Sequence, residues 1–588
     1  MQVFARYAFV AAEAPPKQSA LLLEGPWPAE AAAPNRWSLD EAIDARHAWI
    51  DERAAEWAER LGRAETAPAS GSTAESGEVT FAYLNALALR YYLVRLLRVV
   101  AFFRDAPGLA ADEPIELFAA RGDDEDYVDL LGQLAAERQA EFHVRWQTSP
   151  TVEPSRARRL RPWRRWAAQA DDLFDPTPLA EQGQPRIVIC GNPHVLDPVC
   201  RVLLDRGCQV WWLYEHFAVR SWWRWRREGV KQLVCDRRAG RADRFSDGGA
   251  ADGLAVQGVD LGPVVERWLA RQAAHLGGRQ SRLVAQIDEH FRAVQPTGLL
   301  LDEDATPMKR AAVALARQHG ARSAVVQHGA PCGPFGFSPL AADCFCAWGA
   351  STREQLLRWG VPAERIHLTG WPRFEERLVR WRRRRAGRKA SPRILLLATM
   401  PPRDGRPDTA TFHLTRQTHE RMLDMACAAA AKVAGARLVI KLHPRCGDDA
   451  AFQQVVARHP GLQAEVTRSD DLDRLTAESD CVLSCASTSG IEAALMGAPV
   501  VQLLPAGSGD VLPAERWGML GSARDEQELD RLVAQALARG WKSPADVEEV
   551  LGNPIRAAVE KVADVILNAG LNGGPAADDC AATGAADR

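Results

Sequence analysis

The chain is short of the features that would commit it to a membrane, a disulfide framework or a nucleic acid. Its longest apolar helical pattern, residues 81–104, is interrupted by Arg90, Arg95, Arg98 and Arg104, which argues against a spanning helix. The opening MQVFARYAFVAAEAPPK has too short an apolar run to read as a secretory signal. The 12 cysteines are scattered, and the close pairs Cys344/Cys346 and Cys481/Cys485 lack the spacing of a zinc site. Most lie in apolar segments, as reduced thiols of a cytoplasmic protein do. Lys plus Arg (73) nearly balance Asp plus Glu (76), so no net charge calls for nucleic acid.

What is present fits an enzyme of several domains. A length of 588 residues exceeds a single core, and a hydrophobic fraction of 47% supplies enough apolar side chains for two or three. Residues 1–184 form an N-terminal extension, mixed α/β or mostly helical and without an assigned role. It has a strand pattern at 3–10, a helix at 38–61, a flexible loop at 66–77 and the helix at 81–104. From residue 185 strands and helices alternate: strands at 187–190, 208–214, 298–302, 323–327, 344–348 and 365–370, with helices at 195–205, 264–294, 307–319 and 351–359. This is a first doubly wound unit, 185–385. A second, 386–570, opens with a strand at 393–399 and ends with helices at 525–539 and 554–567, and the Gly, Ala and Asp-rich tail 571–588 is expected to be disordered. The expected fold class is α/β, two facing Rossmann-like domains behind the extension.

The densest signal lies in residues 436–504. One apolar strand pattern ends at Lys441-Leu442-His443-Pro444 and delivers an imidazole to a C-terminal strand edge. A second, 481–485, ends at Ser487-Thr488-Ser489-Gly490, where a helical pattern begins. In open parallel sheets that edge binds ligands, because free backbone N–H groups and the helix dipole favour anions. The pattern therefore predicts a phosphate-type site, with the histidine and the hydroxyl cluster on neighbouring strands. The plainer alternatives are helix capping by Ser487 and a histidine that satisfies nearby carbonyls.

Read in order, Gln327-His328-Gly329, Trp348-Gly349, Leu368-Thr369-Gly370-Trp371-Pro372-Arg373, Lys441 to Pro444, Ser479-Asp480 with Ser487 to Ser489, and Glu492-Ala493 resemble glycosyltransferases of the GT-B fold. Within that fold the motifs are most similar to bacterial surface-polysaccharide enzymes: capsular Kdo transferases, polysialyltransferase-like proteins and CDP-glycerol glycerophosphotransferases. The resemblance covers residues 185–570 and leaves the N-terminal extension unexplained.

The resemblance implies roles that the residue chemistry supports. His443 would donate to the donor's phosphate as the nucleotide leaves, with Lys441, Pro444 and the Ser487, Thr488 and Ser489 amides around it. Glu492 would hold the ribose, its alternative being a solvated first-turn carboxylate. Asp302-Glu303-Asp304 ends an apolar strand in the first unit, a position expected to face the cleft. A carboxylate there would take the acceptor's proton, since a sugar hydroxyl is a poor nucleophile until deprotonated. Related enzymes carry an acidic pair followed by glycine. Here Asp304-Ala305 stands in its place, so Asp302 and Glu303 both remain candidates, with an N-cap at Asp304 as the rival. Gln327, His328 and Gly329 are acceptor-side or phosphate-side candidates, with Gly191-Asn192-Pro193-His194 a weaker one whose alternative is a plain connection. Arg373 and Arg445 could neutralise phosphate or a sugar carboxylate through bidentate pairing, surface solvation being the alternative for both.

Tryptophan is plentiful, at 19 residues, and is interleaved with arginine around Trp211, Trp212, Trp222, Trp223 and Trp225 and again at Trp163 and Trp166. Such clusters suit a membrane interface, or else core packing and sugar platforms. The resulting expectation is a cytoplasmic glycosyltransferase, peripheral at the inner membrane. It would use a CMP-linked acidic sugar such as Kdo as substrate, a glycan or lipid-linked glycan as acceptor, and no metal, other cofactor or nucleic acid. A CDP-polyol phosphotransferase, a UDP-GlcNAc 2-epimerase-like enzyme and a non-catalytic scaffold of polysaccharide assembly are the competing expectations.

Overall fold

The computed structural model describes residues 1–5, 20–23, 36–39, 47–64, 79–105, 112–121, 124–147, 183–215, 225, 227–235, 253–334, 336–373, 391–401, 414, 416–444, 446, 448–468, 471–485, 487–505, 514–539 and 557–568. Three parallel sheets organise them. The N-terminal extension is itself a parallel α/β unit, built from β1 (Gln2–Phe4), β2 (Ala20–Leu22), β3 (Arg36–Ser38), β4 (Ile115–Ala120) and β5 (Phe142–Gln147) in the order β3-β2-β1-β4-β5. Ser38 ends β3, Leu39 after it is helical, and His47–Ala64 is the described part of the helix expected over 38–61. The helix expected over 81–104 is two, Phe81–Leu84 and Ala86–Asp105. Asn85 breaks it by donating to the Phe81 carbonyl (2.8 Å) and trading amide hydrogen bonds with Gln280 (2.7 and 2.8 Å). Arg98 is buried and donates to the Leu39 carbonyl at 2.8 Å, so this cation belongs to a core.

The first Rossmann-like sheet contains β6 (Arg186–Cys190), β7 (Gln209–Tyr214), β8 (Lys231–Val234), β11 (Gly298–Leu301), β12 (Arg322–Val326), β13 (Cys344–Ala347) and β14 (Ile366–Leu368). The small hairpin of β9 (Ala255–Val256) and β10 (Val259–Asp260) stands apart. The strand order is β14-β13-β12-β11-β6-β7-β8. The apolar runs are continuous because both faces are covered. Ile187 and Ile189 pack on one side with Leu300, and Val188 and Cys190 on the other with Leu299 and Leu301. The second sheet is β15 (Arg393–Leu397), β16 (Arg437–Lys441), β17 (Gln463–Thr467), β18 (Cys481–Ser484), β19 (Val500–Leu503) and β20 (Gly521–Ala523), ordered β17-β16-β15-β18-β19-β20. In all three sheets the first strand lies inside and the chain reverses beside it. That reversal places crevices at the C-terminal ends of β1/β4, β6/β11 and β15/β18.

Long-range packing ties the units together. The N-terminal unit docks on the helix Gly262–Val294, where Trp268 stacks on Tyr92 at 4.8 Å and Arg271 pairs with Asp126, which also accepts from Tyr92 Oη at 2.6 Å. Trp348 and Trp371 of the first unit, stacked at 4.6 Å, are buried in one cluster with Leu395, Ile491 and Trp517 of the second. The tryptophans suggested for a membrane surface do other work where they are described. Trp211, Trp212 and Trp225 are buried, and Trp212 and Trp225 stack at 4.5 Å, because an apolar sheet face absorbs the indoles before solvent or lipid can. Trp163, Trp166, Trp222 and Trp223 lie outside the described residues. Among the described residues no helix is long and apolar enough to cross a membrane. Burial pushes the Cys190, Cys344 and Cys481 thiols up to about 12, as inert core cysteines require.

The last helix departs from expectation. Ala558–Asn568 was to close the second unit, yet Val562, Ala563 and Ile566 join the core around Ile187, Leu196 and Cys200 of the first. Arg206 fixes it with ion pairs to Glu560 (2.5 Å) and Asp564 (2.6 Å). A Cβ on Gly298 would sit 2.9 Å from Ile566 Cγ1, so the strand glycine makes the room the helix fills. Ile566→Ala is therefore expected to cost about 2–5 kcal/mol of stability. Hydrogen exchange should place the loss in β6 and β11, and loss of protection in β15 to β20 instead would overturn this assignment.

Candidate functional site

The first crevice opens where β6 and β11 end. A Cβ on Gly191 would meet Asp302 Oδ1 at 2.3 Å, so only glycine lets the carboxylate lie across the strand end. Asp302 Oδ2 accepts from the Asn192 N–H at 3.0 Å, and Oδ1 accepts from Lys309 Nζ at 2.6 Å. Glu303 accepts from the same ammonium, from the Ala305 and Thr306 N–H groups (2.6 and 3.2 Å) and from Thr306 Oγ1 (3.0 Å). Four donors occupy its two oxygens, among them the amides of Ala305 and of the N-cap residue Thr306, so Glu303 fastens the turn that leads into the helix. Asp302 keeps acceptor capacity.

Asp304 does not face the cleft and does not cap the helix as an N-cap residue would. It is buried and binds the Ala341 and Ala342 N–H groups at 2.6 and 2.8 Å. Burial pushes its carboxyl up, opposed by the Ala342 amide and Arg310. Gln327 is likewise structural: its Oε1 accepts from Trp348 N at 2.7 Å and its Nε2 donates to the Gly329 carbonyl at 2.8 Å. Asn192 caps Pro193–Asp205 through His194 N, and His194 is exposed, so this stretch is a connection whose amide serves Asp302.

His328 stands at the end of β12, its ring 5.2 Å from Phe337 and crowded by Gly336, whose Cβ would meet Cε1 at 3.0 Å. Its Nδ1 is buried with no hydrogen-bond partner. Burial lowers its pKa below the ordinary histidine value, against the pull of Asp302 and Glu303, so the ring is neutral at pH 7. Gly329 follows. A Cβ there would lie 2.8 Å from Thr488 Oγ1, and Ala330 N donates to that hydroxyl at 2.9 Å. The first unit's acidic crevice thus abuts the second unit's helix start.

On the second sheet Ser487 caps Thr488–Leu495, its hydroxyl accepting from Ser489 N at 3.3 Å. A Cβ on Gly490 would collide with Ser484 Oγ at 2.2 Å, which seats the helix directly on β18. His443 and Ser487 are not on neighbouring strands. β15 runs between theirs, Leu397 pairing with Lys441 on one side and Ser484 on the other. With strands about 4.8 Å apart, roughly 10 Å separates the two edges. Between them lies Thr399, whose buried Oγ1 has no partner among the described residues. Lys441, Pro444 and Glu492 flank this edge as half-buried or exposed side chains, Lys441 Nζ reaching the Leu442 carbonyl at 3.3 Å, whereas Arg373 is half-buried beyond β14 of the first sheet. Arg445 lies outside the described residues. Among the described residues no three His, Cys, Asp or Glu side chains converge as a metal site.

Sequence reasoning passed over Lys309, Thr399 and Ala330. Lys309 had a readable signal: Lys309-Arg310 puts two cations in the first turn of a helix, where the dipole disfavours them unless carboxylates compensate. Thr399 had only its place at a strand end.

Residues 408–506 match the family model described as capsule polysaccharide biosynthesis protein, a stretch well under half of the chain. No curated relative matches the chain. Among solved structures the chain is similar to UDP-GlcNAc 2-epimerase from Neisseria meningitidis bound to UDP-GlcNAc (13% identity, 66% of this chain and 100% of that one, TM-score 0.39). It is also similar to the S. aureus MnaA-UDP co-structure (14%, 65% and 96%, 0.42) and to Acinetobacter baumannii MurG (14%, 65% and 99%, 0.38). At these scores the likeness carries no functional information, and the two doubly wound units stand on the sheet topology itself.

Proposed function

We propose that the chain is a glycosyltransferase of surface-polysaccharide biosynthesis that moves a sugar from a nucleotide donor to a glycan acceptor by direct displacement. The donor we favour is a CMP-linked acidic sugar such as Kdo. The observation that carries the proposal is the seam at Ala330 and Thr488. It brings a crevice with proton-accepting groups against a helix start suited to phosphate, so an acceptor hydroxyl and a donor's anomeric carbon can meet between them. The capsule-type match to the second unit supports the same pathway class.

In this mechanism the acceptor oxygen bonds to the anomeric carbon as the bond from that carbon to the phosphate oxygen breaks. The acceptor's proton passes to Asp302, because Glu303 has its acceptor positions filled by Ala305, Thr306 and Lys309. Charge on the leaving nucleotide phosphate is met by the amide and hydroxyl of Thr488 at the helix start and by His443. Those groups need no metal to hold a phosphate.

Two measurements test this. CMP at about 100 times its dissociation constant should stabilise the protein by roughly 2.7 kcal/mol, with EDTA present and not in His443→Ala. Stabilisation by UDP alone would reassign the donor, and no response to CMP, CDP, UDP or GDP would sink the transferase. In transfer assays Asp302→Asn should lower kcat by about 10²- to 10⁴-fold. Glu303→Gln should instead cost about 1 kcal/mol of stability, through weakened hydrogen bonds in the turn, and leave turnover within a few-fold. Equal losses in both would refute the division of roles.

A further inference from the structure

Asp302 and Glu303 are adjacent, both buried, and joined through one ammonium. Two carboxylates this close repel, and in water-poor surroundings such a pair retains a proton. Lys309 lies on the first turn of the helix Pro307–Gln318 and turns back to reach both acids, its own side chain 15% exposed. Other charges are accounted for. Asp304 is bound to the Ala341 and Ala342 amides and faces Arg310, which covers the Tyr83 ring at 4.3 Å. From the strands packed against the triad come the neutral His328 of β12 and the thiol of Cys190 on β6, held protonated by burial with Cys235 beyond it. Lys309 is therefore the cation that balances this pair.

We propose that Lys309 is the positioning residue of the proton-accepting site, bridging both acids and holding the Asp302 carboxylate aimed beside Glu303. The inference rests on Asp302 being the base. Burial works against the ammonium, yet Asp302 and Glu303 outweigh it and hold its pKa above the usual lysine value. The triad carries one net negative charge with Lys309 and two without it. Loss of the ammonium leaves two buried carboxylates competing for one proton, and Asp302 ceases to be a base near neutral pH. Arginine at 309 keeps the charge. Removing Lys309 together with the Glu303 charge restores the balance by another route.

The test reads protonation directly, by infrared difference spectra of the protein with labelled aspartate and the band assigned through Asp302→Asn. Wild type supplies the reference transition. In Lys309→Met a protonated carboxyl should persist roughly one to three pH units higher, while Lys309→Arg and the double variant Lys309→Met/Glu303→Gln return the transition towards wild type. The acid limb of the pH dependence of kcat/KM should move with it. An unshifted transition in Lys309→Met, or failure of the folded double variant to recover, overturns the proposal. A spectroscopic shift with full turnover in Asp302→Asn would instead leave Lys309's effect standing and remove Asp302 as the base.

Discussion

A parallel sheet built from right-handed strand-helix-strand turns must reverse its winding beside the first strand, and this constraint locates everything of functional interest here. Helices leave the two strands on opposite sides of the reversal, so their ends diverge and a crevice opens. In the first unit that crevice is filled from below by Asp302 and Glu303. In the second it receives Thr399 and the start of the helix Thr488–Leu495. The helix Ala558–Asn568 returns to the first sheet, so the chain crosses between units twice and the pair is tied at both ends.

The electrostatics of the first crevice are hard to explain as a source of stability. Burying two carboxylates and an ammonium costs several kcal/mol per ion before pairing returns any of it, and apolar replacements of such triads are often neutral or stabilising. The Asp304 carboxyl, with two amides and a nearby guanidinium, is a loop fastener whose partners account for it fully. Asp302 has no such explanation. Gly191 is small so that this carboxylate can lie where it does, each of its oxygens holding one donor and keeping a lone pair for another.

Much of this was legible in the sequence because buried parallel strands announce themselves as continuous apolar runs. The strand patterns at 187–190, 298–302 and 481–485 fall on β6, β11 and β18 within a residue. Strands of other composition were not: β17 reads Gln-Ala-Glu-Val-Thr and is half-exposed at a sheet edge, and β20 is Gly-Ser-Ala. The N-terminal sheet escaped notice since three of its strands have only three residues each, too few to show a period. Residue roles divided in the same way. Asp302, Glu303 and Asp304 looked alike in sequence, and only their hydrogen bonds separate a candidate base, a turn fastener before the helix and a fastener of the loop at Ala341 and Ala342. The docking of Ala558–Asn568 depends on a gap at Gly298 far earlier in the chain, which no local pattern carries.

The contact at Thr488 couples the two crevices through one oxygen. A threonine hydroxyl has one proton to give and two lone pairs to receive. Here a lone pair takes the Ala330 N–H, which leaves the proton for an anion at the helix start. Gly329 brings the backbone close enough for this, since any side chain there would push against the same oxygen. A group bound at the second unit's helix start would therefore polarise a hydroxyl whose position is fixed by the first unit, one residue away from His328 and across the β11/β12 pair from Asp302. Registry between the half-sites is then a matter of backbone geometry, and the side chains around it remain free to distinguish substrates.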